Sequence, residues 1–464
     1  MFELLLLFLL LSLPCVFLGL FFAKKHPENV PPGSMGWPLV GETLMFLKPH
    51  KSNSIGTFLQ DHFTRYGKVF KSHLFGSPTI VSADCDLNSF VLQNEEKLFK
   101  CSYPKAVHEI LGKSSMLLVE GDVHKRLRNV AICFTNICKS SPKYFYDIDK
   151  HVRETMASWK NRKEVILNKE AKKLTLDLMV KQILDLEPEH PSASRILEDF
   201  LTFMKGFISL PIYLPGTSYT KAVKARERIC STVKSILEER KVGLRDEKID
   251  YLDVILSNES LIDEERVSTV LDLLLAGYDT TSVLIQIVVY FLGQSPKVLE
   301  HLKEEHQEIR KRKDTGPLNL EDYKQMEFTQ NVIQEALRCG NIVKFVHRRA
   351  LKDVYYKGYF IPSGWKVLPI ATAIHLDPSN YTDPLKFNPW RWTGQEKEKT
   401  FAPFGGGLRL CPGADLGKIE TAFFLHHLLL NFRFQTYDED HPLAYPFVDF
   451  KRGLPIKIEP IETI

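Results

Sequence analysis

The chain has 464 residues, 44% of them apolar and 11% aromatic, enough for a large hydrophobic core. A net charge of +4, from 61 basic and 57 acidic residues with no dense Lys/Arg block, argues against nucleic-acid binding. The eight cysteines are irregularly spaced and include no C-x-x-C pair, which argues against a disulfide framework or a zinc module.

Leu4–Ala23 is an uncharged, mostly apolar run of the length that spans a bilayer as a helix. A cleaved signal peptide is the alternative. However, Phe21-Phe22 is a poor cleavage context and no basic residue precedes the run. Residues 1–23 are therefore expected to form a retained signal anchor. Lys24 and Lys25, just past the span, place the rest of the chain in the cytosol. Residues 24–41 are basic and then proline-rich (Pro31-Pro-Gly-Ser-Met-Gly-Trp-Pro38), a stiff non-helical hinge. No linker, repeat or low-complexity tract follows, so 42–464 is expected to be one catalytic domain.

From about Ile80 to Gly340 the pattern is mostly helical. Val152–Trp159, Ala171–Leu186 and Thr220–Glu239 carry apolar residues at three- and four-residue spacing. The apolar, proline-broken segment Phe200–Pro215 suits either the mouth of a membrane-fed channel or ordinary helix packing. Asp263–Gln294 reads as one long helix, acidic at its start and apolar nearly all round from Val283 to Leu292, hence buried. In its middle is Ala276-Gly-Tyr-Asp-Thr-Thr281, with Gly277 and Thr280 on one face. The glycine would let a flat group and O₂ approach the backbone. The Thr280 hydroxyl can bond a carbonyl one turn back and open the helix, or hold water or oxygen. A satisfied core threonine is the plain alternative.

Glu335-Ala-Leu-Arg338 places a carboxylate and a guanidinium at i,i+3, alone no more than a helical ion pair. Around Pro362-Ser-Gly364 the pattern becomes strand–turn–strand, with Val354, Tyr356 and Tyr359–Ile361 before the turn and Trp365–Val367 after it. Val448–Ile458 reads as a further hairpin about Gly453-Leu-Pro455. The fold class is mainly α with small β-sheets.

Phe404-Gly-Gly-Gly-Leu-Arg-Leu-Cys-Pro-Gly413 sets Cys411 in a glycine-rich loop, with Arg409 two residues before it. A lone cysteine is ordinarily a small buried hydrophobe. A phosphate loop would need Gly-Lys-Ser/Thr, which is absent. A thiolate with glycines clearing space for a flat object is what a haem iron takes as an axial ligand. Leu416, Ile419, Phe423 and Phe424 then form one face of a helix whose N-terminal dipole points toward that thiolate.

Phe404, Gly407, Arg409, Cys411 and Gly413 match the F-x-x-G-x-R-x-C-x-G signature, and from about Pro31 onward the chain resembles the cytochrome P450 haem-thiolate monooxygenases. The resemblance implies the P450 fold, with haem b (iron protoporphyrin IX) between the long central helix and the Cys411 loop with its following helix. It implies Cys411 as the metal ligand, and Ala276, Gly277, Asp279 and Thr280 as the oxygen-activation motif, with Asp279 and Thr280 assisting proton delivery. Glu335, Arg338 and Arg391 (in Phe387-Asn-Pro-Trp-Arg391) would form a structural triad holding the Cys411 loop. The haem propionates would meet Arg409, Arg348 and the Gly121–Arg128 segment. There Arg128 matches the family's W-x-x-x-R, but His124 replaces the tryptophan, so His124 is either a propionate contact or a partly exposed helix histidine.

Lys205–Pro211, Phe387–Trp392, Phe404–Gly407 and Phe424-Leu-His-His427 resemble the plant sterol and brassinosteroid hydroxylases. The implied substrate is a hydrophobic sterol oxidised on its side chain near C-22. Triterpenes, gibberellin precursors and abscisic acid are the alternatives. The implied partner is NADPH–cytochrome P450 reductase at the endoplasmic reticulum membrane. An O₂-independent haem-thiolate isomerase or dehydratase would often lack the helix threonine, which is present here as Thr280. A silent haem protein is the remaining alternative class.

Overall fold

The computed structural model describes residues 28–37, 40–207, 209, 211–242, 250–313, 316–394, 400–445 and 447–461. The expected anchor, Leu4–Ala23, lies outside them, as do residues 24–27 and 38–39 of the hinge. The chain gathers into two compact units, each built from discontinuous segments.

The first unit comprises the part before Pro49, Ile55–Ser102 and Phe345–Ile370. Its centre is a mixed five-stranded sheet, in spatial order Val69–Leu74, Ser77–Ser82, Lys366–Pro369, Arg348–Ala350 and Phe99–Cys101. Ser77–Ser82 and Lys366–Pro369 pair in parallel, and the other neighbours are antiparallel. Val69, Ile80, Phe99 and Val367 pack together in its core.

The strand–turn–strand expectation is corrected here. Val354–Tyr356 pairs with Tyr359–Ile361 across Lys357-Gly358, not across Pro362-Ser-Gly364. Both turn residues have positive φ, +46° and +86°, the conformation that matches the twist of a two-residue hairpin. Lys366–Pro369 instead joins the large sheet.

The second unit comprises Pro49–Ser54, Tyr103–Lys344 and Ala371–Ile464. Seven of its helices matter below: α1 (Gly121–Ser140), α2 (Pro142–Ala157), α3 (Leu167–Leu184), α4 (Asp263–Gly293), α5 (Pro296–Arg312), α6 (Glu327–Gly340) and α7 (Ala414–Asn431). Among the described residues only α4 is long and apolar enough to cross a membrane. It is a core helix, buried from Thr281 to Leu292 without a break. Its start matches the sequence expectation, and the Glu265 carboxylate accepts the Ile262 N–H at 3.2 Å. The helix α7 is buried from Ile419 to Leu429 rather than on one face, so its apolar residues surround it.

Two three-stranded sheets complete this unit. Phe447–Phe450 pairs with Pro442–Tyr445, whereas Pro455–Pro460 lies between Phe432–Thr436 and Glu164–Ile166. The expected hairpin about Gly453 is therefore a crossing between two sheets. The overall class, mainly α with small sheets, is the expected one.

Candidate active site

The Cys411 loop is closed by its own backbone, because the Cys411 N–H donates to the Phe404 carbonyl at 3.1 Å. Gly405 and Gly407 have φ of +75° and +64°, which lets the chain reverse sharply between these two residues. The Lys418 Nζ sits 5.3 Å from the centre of the Phe404 ring. Gly413 caps the N-terminus of α7, and a Cβ there would meet no atom within 4 Å.

The Cys411 thiol keeps accessible surface although protein surrounds it on its other sides. Burial pushes its pKa up, while a hydrogen bond from the Gly413 N–H and the positive charge of Arg128 pull the other way. Arg128 feels the charges of both Cys411 and Arg409. Among the described residues the Arg128 guanidinium makes no hydrogen bond or ion pair. Arg409 donates to the carbonyls of Met116 (3.0 Å), Leu117 (3.3 Å) and Val119 (2.6 Å). His124 lies in the first turn of α1 and is 3% exposed, which removes the exposed-histidine reading.

The helix α4 contributes a second surface. Within its buried length, Ala276 and Thr280, one turn apart, are both exposed. The Thr280 hydroxyl donates to the Ala276 carbonyl at 2.6 Å, and the helix runs unbroken through this bond rather than opening. The next residue, Thr281, faces α7, since a Cβ on Gly417 would stand 3.3 Å from its Oγ1.

Gly277 does not share this open face. A Cβ there would overlap the Met179 side chain, with the sulfur at 2.3 Å, so the glycine serves the close packing of α3 on α4. That contact is reinforced by Thr175, whose hydroxyl donates to the Tyr278 carbonyl at 2.9 Å. Asp279 points toward α3 as well, with Lys172 Nζ 3.5 Å from its carboxylate. Burial raises the Asp279 pKa, partly offset by Lys172.

Glu335, Arg338 and Arg391 meet as expected, and the first two are fully buried. Arg338 grips Glu335 with both Nη2 (2.7 Å) and Nε (2.9 Å), and Arg391 Nε adds a third contact at 3.0 Å. The Trp392 indole N–H and the Asn388 N–H, each at 3.0 Å, complete the shell of the carboxylate. Arg338 also donates to the carbonyls of His375 and Pro384. His375 in turn accepts the Ala402 N–H at 3.2 Å, two residues before Phe404. Burial, aided by the Arg338 charge, pushes the His375 pKa down to about 3 and keeps it neutral for that role. The triad thus connects through His375 to the entry of the Cys411 loop.

Arg348 lies in the five-stranded sheet of the first unit, buried, with its Nε 2.9 Å from Glu95.

The sequence reading missed Asp272. It lies two turns before Thr280 on α4 and accepts the Ser115 hydroxyl (2.7 Å) and the Met116 N–H (2.6 Å). Its signal was a single carboxylate inside the apolar run Val270–Leu275, since a charge so placed must find partners.

The residues present suit a flat, anionic, thiol-ligated group. They supply an accessible sulfur, open space beside Gly413, an uncommitted guanidinium at Arg128 and an exposed Ala276–Thr280 face on a buried helix. The cytochrome P450 family model matches residues 31–459, and the chain belongs to that family of haem-thiolate monooxygenases. A solved cyanobacterial member, retinoic acid-bound CYP120A1, superposes with a TM-score of 0.82 at 26% identity, covering 94% of this chain and all of that one.

Several similar relatives are plant proteins. Cytochrome P450 724B1 of Oryza sativa subsp. japonica is 57% identical, with 96% of this chain and 94% of the relative covered. Cholesterol 22-monohydroxylase CYP90B52 of Paris polyphylla is 44% identical over 98% of this chain and 99% of its own length. The rice (japonica) steroid (22S)-hydroxylase is 43% identical over 95% and 90%.

Proposed function

We propose that this protein hydroxylates the side chain of a sterol or related steroid near C-22, using O₂ and electrons passed from NADPH by cytochrome P450 reductase. The observation that carries the reading is the end-to-end similarity, at 43–44% identity, to enzymes named for cholesterol and steroid 22-hydroxylation.

Haem b bound through Cys411 would supply the redox chemistry that activates O₂ and oxidises a C–H bond. The protein supplies the rest. Gly413 N–H and the Arg128 charge favour the thiolate form of Cys411. Arg128 and Arg409 offer guanidiniums to the cofactor's carboxylates. The Thr280 hydroxyl holds its proton on the Ala276 carbonyl and can turn it toward the open face. Asp279, its pKa raised by burial, lies one residue from Thr280, and Lys172 holds its carboxyl in place. The Glu335–Arg338–Arg391 network would hold the Cys411 loop rigid.

Residues 42–464 would act as the catalytic domain, tethered by residues 1–23 to the endoplasmic reticulum with the domain in the cytosol. Exposed Ile212, Tyr213 and Leu214 offer an apolar surface that supports a membrane-fed substrate route.

The test is to incubate membranes bearing the protein and the reductase with sterols, triterpenes, gibberellin precursors and abscisic acid, and to read the products by mass spectrometry. NADPH-dependent 22-hydroxylation of a sterol is expected. Turnover of only the non-sterol substrates, or turnover independent of NADPH, would overturn the reading.

A further inference from the structure

His426 and His427 lie near the end of α7, away from Cys411, and take no part in the site described above. They line a cavity of about 240 Å³ together with Asp149 and Arg153 of α2, Arg310 of α5 and Lys313 just after it. That is room for a small anion and several waters. The two histidines are buried and the two arginines exposed, so imidazoles form the floor and guanidiniums the rim. Asp149 is the one carboxylate among the described lining residues, and both of its oxygens are committed. Its Oδ1 accepts from His427 Nε2 (2.7 Å) and from the Leu318 N–H (3.3 Å), and its Oδ2 faces Arg153 Nε at 2.8 Å. Lys313 pairs with Asp322. Among the described residues the Arg310 guanidinium and both Arg153 Nη nitrogens have no hydrogen-bond or ion-pair partner. Three cations against two carboxylates leave the cavity with a positive charge over.

The floor has a definite polarity. Both oxygens of Glu305 accept backbone N–H groups, from Phe328 (2.6 Å) and Thr329 (3.0 Å), so the Thr329 hydroxyl, 2.5 Å from the same carboxylate, is the donor to it. The Thr329 oxygen therefore accepts the proton of His306 Nε2 at 3.1 Å. The other nitrogen of His306, Nδ1, is then bare and accepts from His426 Nδ1 at 3.1 Å. Burial keeps both rings neutral. It pushes the His306 pKa down to about 3 and, with His306, His427, Arg310 and Lys313 nearby, that of His426 down to about 2. His426 Nε2 is left as a bare acceptor with no donor among the described residues.

We propose that this cavity binds an oxyanion that carries its own hydroxyl proton, of the phosphate class. Its charged oxygens meet Arg310 and Arg153, and its O–H donates to His426 Nε2. Sulfate, which has acceptors alone, suits the rim but not the floor. The site is independent of the function proposed above.

The test is equilibrium dialysis of full-length, haem-loaded protein in detergent at neutral pH against radiolabelled inorganic phosphate, with chloride holding the ionic strength constant. One phosphate per haem is expected. Arg310→Gln, on the exposed rim, should weaken binding about tenfold, and Arg310→Lys should restore most of it. Unlabelled sulfate should compete about tenfold less well than unlabelled phosphate, because it leaves His426 Nε2 without a donor. His426→Phe should erase that difference, and the wild-type comparison of the two anions decides the question if this variant does not fold. Competition by glycerol phosphate would uphold the site and identify a phosphate monoester as its ligand. Failure of glycerol phosphate to compete would uphold it for free phosphate. Absence of saturable binding, equal binding by Arg310→Gln, or equal competition by sulfate in the wild type would overturn the proposal.

Discussion

The Thr280 hydroxyl lies 2.6 Å from the carbonyl oxygen of Ala276, one turn earlier on the same helix, and the two residues are both exposed where their neighbours Leu275, Gly277 and Asp279 are half-buried and Tyr278 is buried. A threonine bonded to its own helix is satisfied without any neighbour, so packing does not explain an open face here. Thr280→Ala is expected to keep haem but to lower product formed per NADPH by up to about a hundredfold, the lower end for a positioned proton donor. Peroxide release should rise in step. Unchanged coupling on the native substrate would contradict this role.

Cys411→Ala removes the only sulfur in the loop that Phe404 and Gly413 shape. The carbon monoxide adduct of the reduced protein should lose its far red-shifted Soret band. A surviving band in the confirmed variant would disprove thiolate ligation by this residue.

Glu335→Gln leaves two guanidiniums facing a neutral amide in a buried network. The cost should be about 3–5 kcal/mol, because an uncompensated buried charge is far more expensive than a lost surface pair. Urea titration followed by haem release should show an earlier midpoint. A comparable midpoint would mean that the network does not hold the loop.

Lys344 is buried, and burial lowers its pKa to about 7. It donates to the Ser54 carbonyl at 3.0 Å and pairs with His50 Nε2 at 2.9 Å. In the unfolded chain a lysine titrates near ~10.4, so from about pH 7 to about pH 10 the unfolded state binds one more proton. Stability conferred at this site therefore rises with pH across that window. Lys344→Met should flatten the rise, measured as urea midpoints at several pH values between those limits. An unaltered slope would show that the amine stays charged in the fold.

Deleting residues 1–26 should leave a haem-binding protein that has lost integral membrane attachment, with residual peripheral binding through Ile212, Tyr213 and Leu214. In sealed microsomes, added protease should digest the domain of the intact protein. Full protection, or a mature N-terminus after Ala23, would identify a secretory signal instead.

The chemistry of this protein was legible in its sequence wherever local spacing and residue type suffice. A cysteine between glycines in the 404–413 loop, a buried apolar helix interrupted by Ala276–Thr281, and Glu335 with Arg338 at i,i+3 are short-range patterns, and each can be read from neighbouring residues alone. Contacts between distant segments were not legible. Gly277 read as room for a ligand because periodicity shows its face but not its neighbour, and only packing reveals Met179 there. Arg348 pairs with Glu95, a partner far back in the chain that spacing along the sequence does not reveal. The Lys357-Gly358 hairpin lost to the Pro362-Ser-Gly364 reading because turn composition does not settle which strands pair. Asp272 joins residues 156 and 157 positions away, and such bonds follow from the tertiary arrangement of α4 and the 113–120 segment, where a desolvated carboxylate must find donors.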